Sequence, residues 1–112
     1  MNRDLNLPLT ETTYYVLLSL FEPAHGYAVL QKVEELSEGQ VRLAAGTLYG
    51  ALENLEKQKM ICQIPGNDPR RKIYGITEKG RTILILDYER MRSLISTTDK
   101  NILEVKQRHE KA

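Results

Sequence analysis

"NDPRRKIYGITEKG", residues 67–80, is the stretch whose reading decides the fold. Arg70, Arg71 and Lys72 follow a Pro-Gly turn and precede a short apolar alternation. "ICQI" at 61–64 supplies a matching run on the other side. Together with the turn "PGNDPRR" and "KIYGI", it reads as a two-stranded hairpin with three consecutive cations at its tip. "TEKG" then opens a helix with Thr77 as N-cap.

The whole chain, 112 residues with a net charge of +1, is one domain with a modest core. Its total charge says nothing about partners, but its distribution does. From Lys57 to Arg81 seven cations (Lys57, Lys59, Arg70, Arg71, Lys72, Lys79, Arg81) face two acids (Asp68, Glu78), a local +5 that leaves −4 for the rest. Segregation of this kind points to a polyanion-facing region, with a solvated face as the plain alternative.

Upstream, Thr10 to about Phe21 has helical periodicity, with Val16, Leu17 and Leu20 on one side and Thr10 as N-cap. "EPAHG" (22–26) ends it. A second helix runs from about Tyr27 to Ser37, with Ala28, Val29, Lys32, Val33 and Leu36 as its inner stripe. Glu34 and Glu35 decorate its outer surface, and Gly39 closes it. "QVRL" (40–43) reads as a single short strand. "AAGTLYGALENLEKQKM" (44–60) is a third helix, burying Leu48, Ala51, Leu52, Leu55 and the stem of Lys59. Its opposite face, Thr47, Gly50, Glu53, Asn54 and Lys57, is polar and free of bulk near the helix start.

From Lys79 a long helix carries Leu84, Tyr88, Met91, Ile95, Thr98, Ile102 and Val105 at alternating steps of 4 and 3, a heptad seam. About 30 residues extend roughly 45 Å at 1.5 Å per residue, beyond the reach of a small head. The expected seam of Leu84, Tyr88, Met91, Ile95, Ile102 and Val105 therefore meets a second copy. Within it, "STTDKN" (96–101) either continues the helix or caps a separate last one. The expected organisation is a head at 1–78 and a dimerisation helix at 79–112.

Helix, helix, strand, helix, hairpin, long helix is the order of a winged helix-turn-helix, mainly α with a small β-hairpin. In that geometry the third helix enters the DNA major groove by its N-terminal residues. Unpaired N–H groups at Gly46 and Thr47 face phosphate, and Gly50 admits the groove wall. Asn54 can pair with adenine, and Lys57 can reach phosphate or guanine. Glu53 accepts from cytosine or repels phosphate. The hairpin is the wing, and Arg70, Arg71 and Lys72 neutralise backbone phosphates.

Four stretches, "PLTETTYYVLLSL", "HGYAVLQKVEELSEG", "GTLYGALENLEKQKMI" and "RRKIYGITEKG", resemble in order helix 1, helix 2, recognition helix and wing of the PadR family of bacterial winged-helix transcription regulators. The resemblance covers about Pro8 to Arg81, and the single long last helix resembles the family's short subclass. It implies a homodimeric repressor of nearby genes, released from its operator by a small molecule. It also implies operator contact by Thr47, Tyr49, Asn54, Arg70, Arg71 and Lys72. Tyr49 lies about 100° from Leu48 around the helix, so packing against helix 1 and a phosphate hydrogen bond are both open for it. Tyr14, Tyr15, Tyr27 and Tyr74 are expected to pack. Drug-binding relatives hold planar aromatic compounds between tryptophans of the long helices. This chain has no tryptophan, and Met91 stands in that place. Tyr88, Met91 and Ile95 therefore line a flexible pocket for a small apolar or aromatic effector, or simply fill the dimer core.

Other classes fare worse. The two histidines, His25 in a turn and His109 near the end, have no partners for acid–base or nucleophilic chemistry. Cys62, the single cysteine, gives no disulfide and no clustered-thiol metal site; between Ile61 and Ile64 it is expected to be buried. No cofactor and no metal are implied. A winged helix serving a protein partner without operator binding is the rival reading, favoured by Glu53 and the near-neutral total charge. "MNRDLNLPLT" has no apolar run of signal-peptide length, and no segment reaches the roughly 18 apolar residues of a membrane span. The expectation is a cytoplasmic regulator that binds a pseudo-palindromic stretch of double-stranded DNA and touches no membrane.

Overall fold

Thr10 starts the first helix as expected: its side chain accepts a hydrogen bond from the Thr13 N–H at 3.1 Å. In the computed structural model, which describes residues 7–66, 68 and 70–111 (109–111 as backbone only), seven elements follow. They are α1 (Glu11–Ser19), β1 (Ala24–His25), α2 (Gly26–Leu36), α3 (Ala45–Lys57), β2 (Ile61–Ile64), β3 (Ile73–Ile76) and α4 (Glu78–Lys111). Asn67 and Pro69 of the turn and the His109 side chain lie outside the described residues.

The apolar stripes of three helices meet over the sheet. Val16, Leu17 and Leu20 of the first helix, Val29 and Val33 of α2, and Leu48, Leu52 and Leu55 of α3 are buried with Met60, Ile61, Tyr74, Ile83 and Leu84. Burying each aliphatic side chain contributes about 1.5–3 kcal/mol. Leu36, expected on the inner stripe, is 47% exposed. It is the last residue of α2, where the helix leaves the core. Glu38 and Gly39 then take positive φ, and the Gly39 N–H returns to the Glu34 carbonyl at 2.8 Å.

The sheet has three strands rather than two, in the order β1-β3-β2, all antiparallel. Its third strand is not "QVRL". Residues 40–43 are irregular, and the Val41 N–H is taken by the Ser37 hydroxyl at 2.9 Å, not by a ladder. The strand is Ala24–His25, inside the segment that reads as a helix breaker; it pairs Ala24 with Tyr74 and His25 with Ile73. Cys62 is exposed, against expectation. It sits on edge strand β2 opposite Gly75, which has no side chain to cover it.

Lys59 lies past the end of α3 rather than on its inner face. Its φ of 62° turns the chain, and the Met60 N–H closes on the Leu55 carbonyl at 3.0 Å. The carbonyls freed there are taken by the start of α4. Thr77 Oγ1 donates to the Lys59 carbonyl at 2.7 Å, the Thr77 N–H to that of Met60 at 3.0 Å, and Lys79 Nζ to that of Gln58 at 2.8 Å. Thr77 also caps α4, accepting from the Gly80 N–H at 3.1 Å. A Cβ at Gly80 would collide with the Met60 carbonyl oxygen. The end of α3 and the start of α4 are thus one interlocked corner.

Helix α4 is continuous for 34 residues through "STTDKN". There Thr98 Oγ1 donates to the Leu94 carbonyl (2.7 Å) and Asn101 Nδ2 to the Thr97 carbonyl (2.8 Å), so these polar residues bond back along the helix instead of capping a new one. Its first turns pack on the head. Asp87 is buried there, its Oδ1 accepting from Arg90 Nε at 2.6 Å. Leu84, expected in the dimer seam, belongs to the head's core instead: it is only 2% exposed in the single chain, because α1 lies over this part of α4. The helix carries the molecule's longest dimension, 67 Å.

Candidate nucleic-acid interface

Helix α3 begins without a side-chain cap. Ala44 at the N-cap has no side-chain oxygen to offer, so the N–H groups of the first turn, at Ala45, Gly46 and Thr47, have no side-chain cap and lie on exposed residues. Along the outer face Gly46, Thr47, Gly50, Glu53, Asn54 and Lys57 are all exposed, the arrangement expected from helical spacing. A Cβ at Gly46 or Gly50 would meet nothing within 4 Å, so both present bare backbone to any approaching groove wall. Glu53 and Lys57 pair with each other at 3.5 Å, which makes this face nearly neutral.

The wing supplies the positive charge. Asp68 shapes its tip, accepting from the Arg70 N–H through Oδ1 at 2.9 Å and from the Arg71 N–H through its carbonyl at 3.1 Å. Arg70, Arg71 and Lys72 are exposed. The wing is tied to α3 by Gln63, whose Nε2 donates to the Glu56 carboxylate at 3.0 Å. Tyr74, directly across the sheet from Gln63, has its hydroxyl pKa raised by burial, then by Glu56 and Tyr49.

Tyr49 packs, but on helix 2 rather than helix 1. Its ring lies over Gly26, where a Cβ would stand 2.8 Å from the Tyr49 oxygen, and it remains 52% exposed. Beside it a cleft of about 440 Å³ separates the start of α2 from the wing, lined by His25, Tyr27, Tyr49, Tyr74 and the three wing cations. His25 acts as N-cap of α2, its Nδ1 accepting from the Ala28 N–H at 3.4 Å. Tyr27, expected to pack, is 63% exposed. Sequence reasoning missed this cleft because its walls come from β1, α2, α3, β3 and the wing turn, which are separated along the chain. The usable signal was three tyrosines and a histidine placed around Gly26.

The remaining expected site residues lie on α4 and do not line this cleft. Tyr88, Met91, Ile95, Ile102 and Val105 form one apolar strip on α4; Met91 is half-buried and the other four are exposed. Tyr88, Met91 and Ile95 share an open helix face within the single chain, and Arg92 stacks over the Tyr88 ring at 5.8 Å. No helix among the described residues is long and apolar enough to cross a membrane.

Solved structures with the same architecture are numerous. The chain is similar to a PadR-family transcriptional regulator from Eggerthella lenta DSM 2243, at 28% identity over 81% of this chain and 80% of that one, with a TM-score of 0.66. It has the same fold as a PadR-family transcription regulator from hypervirulent Clostridium difficile R20291, at 23% identity over 80% and 97%, with a TM-score of 0.65. No curated protein sequence matches. With its three helices, wing and exposed α3 face in place, and with residues 15–85 matching the model of the transcriptional regulator PadR-like family, the chain belongs to that family of DNA-binding regulators.

Proposed function

We propose that the protein is a homodimeric repressor that binds a pseudo-palindromic operator in the cytoplasm and is released from it by a small apolar or aromatic molecule. The observation that carries this reading is the polar, uncapped face of α3 flanked by a wing whose exposed tip holds Arg70, Arg71 and Lys72. In this reading the N–H groups of Gly46 and Thr47 meet phosphate, and Gly50 lets the backbone approach the groove. Asn54 reads adenine, Lys57 reaches phosphate or guanine, Tyr49 bonds the backbone, and the wing cations fix position.

The apolar strip of α4 supports dimerisation, since Ile95, Ile102 and Val105 stand on a helix that projects beyond the head. Residues 79–112 serve as the dimerisation helix of the head formed by 1–78. Pairing there sets the two copies of α3 about 34–36 Å apart, one turn of DNA. An effector held between the Tyr88, Met91 and Ile95 strips of two copies acts only by binding one spacing better than the other.

Sedimentation of the free protein, with fluorescence anisotropy on its own upstream DNA and on a scrambled duplex across a salt series, tests this. A dimer with selective, steeply salt-dependent binding is the expected result. Equal, weak binding to both duplexes overturns it. That outcome favours the second reading, a winged helix that engages a protein partner, for which the neutral Glu53–Lys57 pair is the supporting observation.

A further inference from the structure

Gly46, Gly50, Glu53 and Lys57 follow one another at steps of 4, 3 and 4, so they share one side of α3, and all four are exposed. The two glycines leave the first two turns of that side without side chains. Glu53 and Lys57 are therefore the first long side chains that a groove wall meets there. Lys57 Nζ stands 3.5 Å from Glu53 Oε1, a donor held beside an acceptor. Both side chains are largely exposed, so the bridge is weak and opens to a better partner. The edge of a C·G base pair shows the complementary arrangement. Cytosine N4 donates to guanine O6, so that donor and acceptor lie about 2.9 Å apart, close to the spacing of the ion pair. Beyond O6 the guanine offers the ammonium a second acceptor, N7, and beyond N4 the cytosine has no acceptor to repel the carboxylate. An A·T pair has the same donor and acceptor at its centre but the wrong flanks: adenine N7 faces the carboxylate and the thymine methyl obstructs the ammonium. G·C and T·A present an acceptor to the carboxylate.

We propose that the Glu53–Lys57 pair reads one oriented C·G base pair in each operator half-site, Glu53 accepting from cytosine N4 and Lys57 donating to guanine O6 and N7. Resting on the DNA-binding reading, this contact gives α3 a cytosine to read as well as the adenine assigned to Asn54. The near-neutral face of α3 then serves base selection. Its charges cancel, so the pair adds little to binding on random DNA, where the wing cations act on the phosphates.

The test uses the full chain to select duplexes from a random-sequence library, followed by anisotropy on the selected duplexes. One C·G pair should recur at symmetry-related positions of the two half-sites. Replacing it by T·A, A·T or G·C should weaken binding roughly five- to hundredfold. Glu53→Gln keeps the shape and gains an amide donor, so adenine should replace cytosine at that position and nowhere else. Exchanging the charges, Glu53→Lys with Lys57→Glu, keeps the bridge and the net charge and should turn the preferred C·G into G·C. If Glu53→Gln instead tightens binding to all duplexes alike, Glu53 only repels phosphate and the inference fails. If the preferred bases change in Asn54→Ala but in neither Glu53 variant, α3 reads bases without this pair; the inference fails and DNA binding stands. If the wild type enriches no sequence, the operator reading fails with it. The altered side chains are exposed, and circular dichroism confirms that each variant is folded.

Discussion

Tyr49 on α3 rests directly on Gly26 at the start of α2, close enough that a Cβ there would stand 2.8 Å from the phenol oxygen and 2.9 Å from Cε1. The obstructing atoms are the far end of a half-exposed side chain, so the ring can swing away. Gly26→Ala is therefore expected to cost under about 1 kcal/mol in stability. It should nevertheless weaken duplex binding severalfold by displacing Tyr49, which bonds the DNA backbone in the proposed reading. Urea melts and anisotropy on the same preparation check both halves.

Gly80 poses the opposite case. Its neighbour is the backbone carbonyl of Met60, which also accepts from Thr77 and cannot swing aside. Gly80→Ala is expected to destabilise by roughly 2–4 kcal/mol. A thermal melt reads this directly; a midpoint within 3 °C or so of wild type would contradict the packing at this corner.

The wing and the α3 face separate by salt and by sequence. Arg70→Ala with Arg71→Ala should lower the log–log salt slope by about 0.9 per lost phosphate contact on every duplex. Asn54→Ala should reduce discrimination between operator and random DNA by about 1–3 kcal/mol and leave the slope alone. An unchanged slope in the first variant removes the wing from the interface. Equal losses on both duplexes in the second remove Asn54 from base reading.

Along α4 the heptad series divides between the head's core and the subunit contact of the proposed dimer. Leu84→Ala should cost about 2–5 kcal/mol of folding stability, the price of a core cavity. Ile95→Glu with Ile102→Glu should instead yield a folded monomer with impaired operator binding. Sedimentation and circular dichroism distinguish the two; a folded dimer after the Glu substitutions would place the subunit contact elsewhere.

Alkaline pH offers a test of the buried phenols. Burial, then Asp87, then Tyr88 raise the Tyr14 pKa above its usual value of 10.0; burial, then Glu56, then Tyr49 raise that of Tyr74. A folded-state pKa above the unfolded one means stability is full below about pH 10 and falls as pH rises through the folded values. Urea midpoints across pH 8–11 should drop over that window, less steeply in Tyr14→Phe/Tyr74→Phe. Tyrosinate absorbance should show two of the six tyrosines ionising late.

Local pattern made much of this legible. The helices followed from periodicity, and Thr10 and Thr77 marked helix starts because a hydroxyl at an N-cap acts within three residues of itself. The exposed polar face of α3 followed from its spacing alone. What escaped was non-local. Ala24–His25 is a strand only because β3 lies beside it, and nothing within "EPAHG" reveals that partner. Cys62 alternates like a core residue, but its cover depended on Gly75 across the sheet. Leu84 matched the heptad, and only the placement of α1 decided that it belongs to the head. The cleft was hidden for the same reason, its tyrosines being 22 to 47 positions apart in the chain and adjacent only in space.

The corner where Thr77 and Lys79 hold the carbonyls of Gln58, Lys59 and Met60 turns α4 into a rigid pointer bolted to α3. From Ile95 to Gly80 the pointer is about 22 Å long at 1.5 Å per residue. In the proposed dimer, a change of about 5° in how two such helices cross shifts each α3 by roughly 2 Å, with opposite sense in the two subunits. Because these bonds lock α3 to α4, a small rearrangement between the long helices of the proposed dimer would be carried to α3 rather than absorbed at the corner.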